Sequence, residues 1–238
     1  MRLSLNVAIL LLSAGVLFTS CLKNKNNGED IPAAGVMSFN LAPDQKAAVI
    51  RLSGNNVTQQ PLGYTNFSGV YQRIYTGERA VESFDYLTGT KLGATFSYNF
   101  EPNKSYSIFV VGADSSYKNI VALDDVDSNE VNSGKAYIRY INAIVDTVNK
   151  SAVTISAGGS AVINDNANYA SVSDFKAVAA GDLSVAVKNG AVDIGRTITV
   201  QAGKVYTVLL IGLPGAESET TKPQIKYVEN GTLVSDEQ

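Results

Sequence analysis

Asn103–Gly112 reads NKSYSIFVVG, and Gly203–Gly212 reads GKVYTVLLIG. The two stretches lie one hundred positions apart, with Lys, Tyr and the closing Gly in register. Just before the first, Phe96, Tyr98 and Phe100 alternate with Thr95, Ser97 and Asn99. Before the second, Ile198 and Val200 alternate with Thr197, Thr199 and Gln201. Strict alternation is the signature of a strand with one buried face. The turns Glu101-Pro102-Asn103-Lys104 and Gln201-Ala202-Gly203-Lys204 follow, with Pro or Gly to set the backbone. Tyr106–Val111 and Tyr206–Ile211 are nearly continuous apolar runs, as expected of strands covered on both faces. Each unit reads as a β-hairpin.

The likeness extends upstream. YTNFSGVYQRIYTGERAV (Tyr64–Val81) matches YASVSDFKAVAAGDLSV (Tyr169–Val185) in its leading Tyr, its Ser-aromatic pair, its Gly-acid step and its final strand. VMSFNLAPD (Val36–Asp44) faces YIRYINAIVD (Tyr137–Asp146), and each is followed by an alternating strand, Ala48-Ile50-Leu52 or Val153-Ile155. Asn189-Gly190 is a strong hairpin signal. The chain is therefore a tandem duplication, and a copy of about 95 residues can bury enough surface to fold without disulfides. Many short strands, close turn signals and no helical period predict an all-β protein. We expect a first β-sandwich over 35–123, a polar linker over 124–135, a second β-sandwich over 136–230 and a tail over 231–238.

The amino-terminal stretch is of another kind. Arg2 precedes an apolar run, Val7–Phe18, that is too short to span a bilayer but suits a signal-peptide core. The run ends Leu17-Phe18-Thr19-Ser20-Cys21, and Cys21 is the only cysteine. This resembles the lipobox of bacterial lipoproteins. The resemblance implies cleavage of residues 1–20, a diacylglyceryl thioether on Cys21 and acylation of the new amino terminus. Several acyl chains, palmitate among them, hold a protein firmly to a bilayer where one does not. Residues 21–34 are polar, with Pro and Gly, and read as a flexible tether. Lys23 and Lys25 come before Glu29 and Asp30, unlike the early acidic surface-export signal of Bacteroidota lipoproteins. The expected location is the outer membrane of the cell envelope, with its periplasmic and surface faces both open.

Composition narrows the chemistry. Removing Arg2 from 19 basic residues leaves 18 against 22 acidic ones, a formal charge of −4 for the processed chain. With no basic run, this is not the pattern of a nucleic-acid binder. Histidine is absent, which removes His-based triads and the commonest transition-metal ligand. With Cys21 lipidated, no thiolate remains, so neither a zinc site nor any other cofactor site is expected.

The GK-x-YT-x-x-x-x-G phrase stands here as Gly203-Lys204-Val205-Tyr206-Thr207-Val208-Leu209-Leu210-Ile211-Gly212. Together with the Leu41-Ala42-Pro43-Asp44 and Asn142-Ala143 phrases, it resembles domain-of-unknown-function family 4397 of bacterial cell-envelope proteins. The first copy departs from the phrase at Asn103 and Ser107. The resemblance implies immunoglobulin-like or transthyretin-like sandwiches in tandem behind a lipobox, and no assigned reaction.

Candidate contacts are few. Tyrosines crowd the first copy, and Tyr64, Tyr71 and Tyr75 are candidates for stacking on a glycan. Tyr106 and Tyr206 recur at matched positions, which points to a structural hydroxyl bonded to a nearby turn. Asp125, Asp127 and Asn129 have the spacing of a calcium loop, but Glu130 and Ala136 occupy its sixth and twelfth places. The stretch Asp124–Glu130 reads instead as a solvated linker. Asp146-Thr147-Val148 resembles the O-glycosylation signal of Bacteroidota envelope proteins, which makes Thr147 the acceptor. No motif places a carboxylate pair for glycoside hydrolysis. The expected role is non-enzymatic binding or scaffolding, with a glycan or envelope protein as partner. The alternative is an accessory lipoprotein of a glycan-uptake system.

Overall fold

In a computed structural model of the chain, residues 31–126 and 134–230 are described. Cys21 and residues 21–30 of the tether, as well as Asp127, Asn129 and the tail, lie outside them; the end of the expected tether is corrected, since Ala33 and Ala34 already pair with β4. The first repeat contributes β1 (Ala33–Asn40), β2 (Ala48–Leu52), β3 (Asn55–Asn56), β4 (Gln72–Tyr75), β5 (Gly77–Asp85), β6 (Phe96–Phe100), β7 (Ser105–Ala113) and β8 (Ser116–Leu123). The second contributes β9 (Lys135–Ile144), β10 (Ser151–Ala157), β11 (Ser160–Ala167), β12 (Lys176–Ala179), β13 (Gly181–Asn189), β14 (Val192–Val200), β15 (Val205–Gly212) and β16 (Gln224–Glu229). Every regular element among the described residues is a strand, as the alternation predicts.

The four sheets show the duplication directly. The first repeat pairs its strands in the orders β4-β1-β7-β8 and β3-β2-β5-β6. The second repeats both orders with eight added to each label, β12-β9-β15-β16 and β11-β10-β13-β14. In both, the first strand runs parallel to the seventh: Met37 stands beside Ser107, and Arg139 beside Thr207.

The expected hairpin is corrected. β6 pairs with β5 and β7 with β1 and β8, so the turn at Pro102 arches from one sheet to the other. The turn at Gly203 does the same between β14 and β15. The physical reason lies in the burial patterns. β6 alternates because its sheet has one wet face, whereas β7 and β15 are buried almost throughout. Strands that differ in this way belong to different layers.

The arch is fastened as the recurring tyrosine predicts. The Glu101 amide donates to the Tyr106 hydroxyl at 2.9 Å, and the Gln201 amide to the Tyr206 hydroxyl at 3.2 Å. Tyr206→Phe keeps the ring and removes the acceptor, so it is expected to cost about 1 kcal/mol. Urea unfolding of parent and variant measures this, and two indistinguishable midpoints would show that the bond does not hold the arch.

Among the described residues, three hydrophobic clusters form. One lies inside each sandwich, around Ile108 and Phe100 in the first and around Val208 and Ile198 in the second. The third joins Met37, Phe39, Leu41, Phe109 and Val111 to Ile141, Ala143, Leu209 and Ile211. It lies between the β1/β7 sheet of one repeat and the β9/β15 sheet of the other. The Phe39 and Phe109 rings stack there, with centroids 4.7 Å apart. The sandwiches thus stack as four layers. The two inner sheets are covered on both faces, which is why their central strands carry unbroken apolar runs. A fully buried side chain of this size contributes about 1.5–3 kcal/mol, so the layer joins the repeats firmly.

Candidate functional site

The first place where polar chemistry gathers is the seam between the repeats. Arg139, on β9, is 1% exposed, and its Nη2 lies 2.6 Å from Asp124 Oδ1, a carboxylate equally buried. The same guanidinium donates to Ser107 Oγ at 2.8 Å and to Thr207 Oγ1 at 3.1 Å. Tyr71 and Ser107 donate to Asp124 Oδ2 at 2.5 and 2.8 Å. Thr207 donates to Asn230 Oδ1 at 2.7 Å, and the Phe175 ring lies 4.3 Å from the guanidinium carbon. Burial, and after it the Asp124 charge, push the Tyr71 phenol well above its ordinary pKa. Asp124 is therefore not part of a solvated linker. It closes the end of β8 and faces inward because its counterion lies across the seam.

Equivalent positions meet here. Ser107 and Thr207 occupy the same place in the two repeated phrases. Asp124 and Asn230 each donate a backbone amide to the first residue of their central strand, Ser105 or Val205. Met37 and Arg139 occupy equivalent register positions on β1 and β9. Such a seam has the character of a twofold contact made within one chain. Asp124 Oδ1 is held by the ion pair alone, and the other groups of the seam bond one another.

The second place is open. A cleft of about 520 Å³ lies in the second repeat between edge strand β11 and the segment leading into β12. One wall is Asn164, Asp165, Asn166 and Asn168; the other is Ser171, Ser173, Asp174 and Lys176. Tyr140 reaches this cleft from the inner sheet. It is 3% exposed, and its hydroxyl donates to Asp165 Oδ2 at 3.0 Å. Burial, then Asp165, raise the Tyr140 pKa, so the phenol stays protonated and keeps donating at neutral pH. Asp165 falls between Ile163 and Ala167 in the inward-facing row of β11, and both neighbours are buried. Opposite Val153 it takes a position where a core residue is expected. In the first repeat the chain after β3 carries buried Val57, bonded to Ile50 of β2, and buried Leu62.

A buried amide fixes the wall. Asn142 Nδ2 donates to the carbonyls of Ala167 and Asn168 at 3.3 and 3.1 Å. Its first-repeat equivalent, Asn40, clips the crossing chain in the same way through the carbonyls of Leu62 and Gln45.

The tyrosines named from sequence are dispersed by the fold. Tyr64 packs into the layer between the repeats, where burial pushes its phenol up to about 12. Tyr71 is committed to Asp124. Tyr75 is 64% exposed at the end of β4. Thr147 is exposed on the β9–β10 loop, which Asp146 shapes by accepting the amides of Val148 and Asn149, each at 2.9 Å. Among the described residues, no group of three metal-ligating side chains comes together. No helix there is long and apolar enough to cross a membrane. The cleft residues were missed because asparagines near a turn read as loop. The available signal was the run Asn164-Asp165-Asn166, three poor strand formers inside a strand.

The fold and cleft define a tandem β-sandwich protein with a lateral polar groove. Residues 34–149 match the family described as domain of unknown function (DUF4397). That match takes in the first repeat and β9. A search of curated proteins gave no match.

Proposed function

We propose that this chain is a lipid-anchored protein of the Bacteroidota cell envelope, held by acyl groups on Cys21, whose stacked sandwiches serve a non-enzymatic binding role. The observation that carries the binding half is the cleft beside β11. It is concave, polar and fixed from behind by Asn142 and Tyr140. The anchoring half is supported by the lipobox-like Leu17-Phe18-Thr19-Ser20-Cys21. The seam supports a load-bearing part, because ions buried with matched partners resist separation. The absence of histidine argues against acid–base catalysis of the common kind.

Metabolic labelling with a clickable palmitate analogue tests the anchor in a bacterial host that processes lipoproteins. The parent is expected to carry label and to sediment with outer membranes. Cys21→Ala is expected to lose both. Label that persists in the variant would refute the anchoring half.

A further inference from the structure

We infer that the cleft of the second repeat is a binding site for neutral carbohydrate. The inference rests on the binding reading above and names its ligand class. Vicinal hydroxyls of a sugar are matched by groups that accept and donate side by side, and the cleft sets Asp165 of β11 against Ser173 of the facing segment. Tyr140 holds one oxygen of Asp165 at 3.0 Å, which orients the carboxylate and leaves its other oxygen facing the cleft without a hydrogen bond to the described residues. Across the cleft, Lys176 and Asp174 add a donor and an acceptor. Two carboxylates against one ammonium leave the walls net negative, which disfavours sulfated or uronic acid chains.

The position is particular to this copy. Asp165 is exposed in the row of buried Ile163 and Ala167, whereas the chain after β3 of the first repeat carries buried Val57 and Leu62. A volume of about 520 Å³ lies within the range of small-molecule sites. Tyr140 is a positioning residue here, since it acts through Asp165.

The full chain, purified in mild detergent, is applied to a printed array of neutral β-glucan, xylan, mannan and N-acetylglucosamine oligomers, with sulfated glycans as controls. Multivalent presentation suits a site that relies on hydrogen bonds rather than an aromatic platform. At least one neutral glycan is expected to bind. Asp165→Ala and Asp174→Ala are expected to lower that signal at least tenfold with unchanged thermal midpoints. Tyr140→Phe is expected to lower it less and to leave the same glycan preferred. A blank array would overturn the inference, as would signal unaltered by both wall variants or binding to sulfated chains alone. So would a blank array with Asp165→Ala self-associating, since the carboxylate would then serve only to keep the β11 edge from pairing with another chain. A blank array beside a retained palmitate label would remove this inference and leave the anchor standing.

Discussion

Arg139→Ala is expected to destabilise the stacked body by roughly 3–5 kcal/mol, because it leaves a charged carboxylate buried without its counterion. Asp124 would keep Tyr71 and Ser107 as donors, and two hydroxyls do not replace a guanidinium 2.6 Å away. Thr207 and Ser107 would also lose a donor, and Phe175 would lose the cation on its face. The fold itself supplies a control. Met37 stands where Arg139 stands in the other repeat, and Asn230 stands where Asp124 stands. The double variant Arg139→Met with Asp124→Asn removes both charges and keeps similar volumes. It is expected to recover most of the loss, since buried ion pairs are often replaceable by neutral groups of like shape. Urea unfolding of the parent, the single variant and the double variant decides the matter. A single variant within 1 kcal/mol of the parent would sink the claim.

Alanine at Gly112 or Gly212 is expected to cost on the order of 3 kcal/mol or more, since overpacking and a disfavoured backbone add. These are the glycines that close the two repeated phrases. Their φ values are +122° and +117°, a region that L side chains rarely adopt. A Cβ at Gly112 would collide with the Ser116 carbonyl oxygen and come within 2.7 Å of Tyr117 Cα. At Gly212 it would collide with the Lys222 carbonyl oxygen and come within 2.8 Å of Pro223 Cα. The obstacle is backbone, of β8 at Gly112 and of the segment entering β16 at Gly212, and backbone cannot swing aside as a side chain can. Thermal unfolding of the two variants measures the effect. A midpoint unchanged in either would mean that the strand pair has room which the geometry denies.

Much of the architecture was legible because strand chemistry is periodic. Alternation at Phe96-Tyr98-Phe100 marked an outer strand, and the unbroken run Ile108–Val111 marked an inner one. The repeated tyrosine announced the bond that holds each arch. Which strands pair was not legible. A short turn between two strands is compatible with a hairpin or an arch, and only the contrast in burial separates them. The cleft was hidden for a related reason. Asp165 reads as a surface acid, and its inward aim appears only when β11 is registered against Val153.

The order of side chains alone determined that the chain is all-β, that it is written twice and that its closing glycines recur, because each follows from local periodicity and local backbone preference. The tertiary structure alone decided that the two copies share a buried layer, that Asp124 meets Arg139 and that a polar cleft opens beside β11. Those outcomes depend on residues distant in the chain coming within a few ångströms, and no local pattern carries that information.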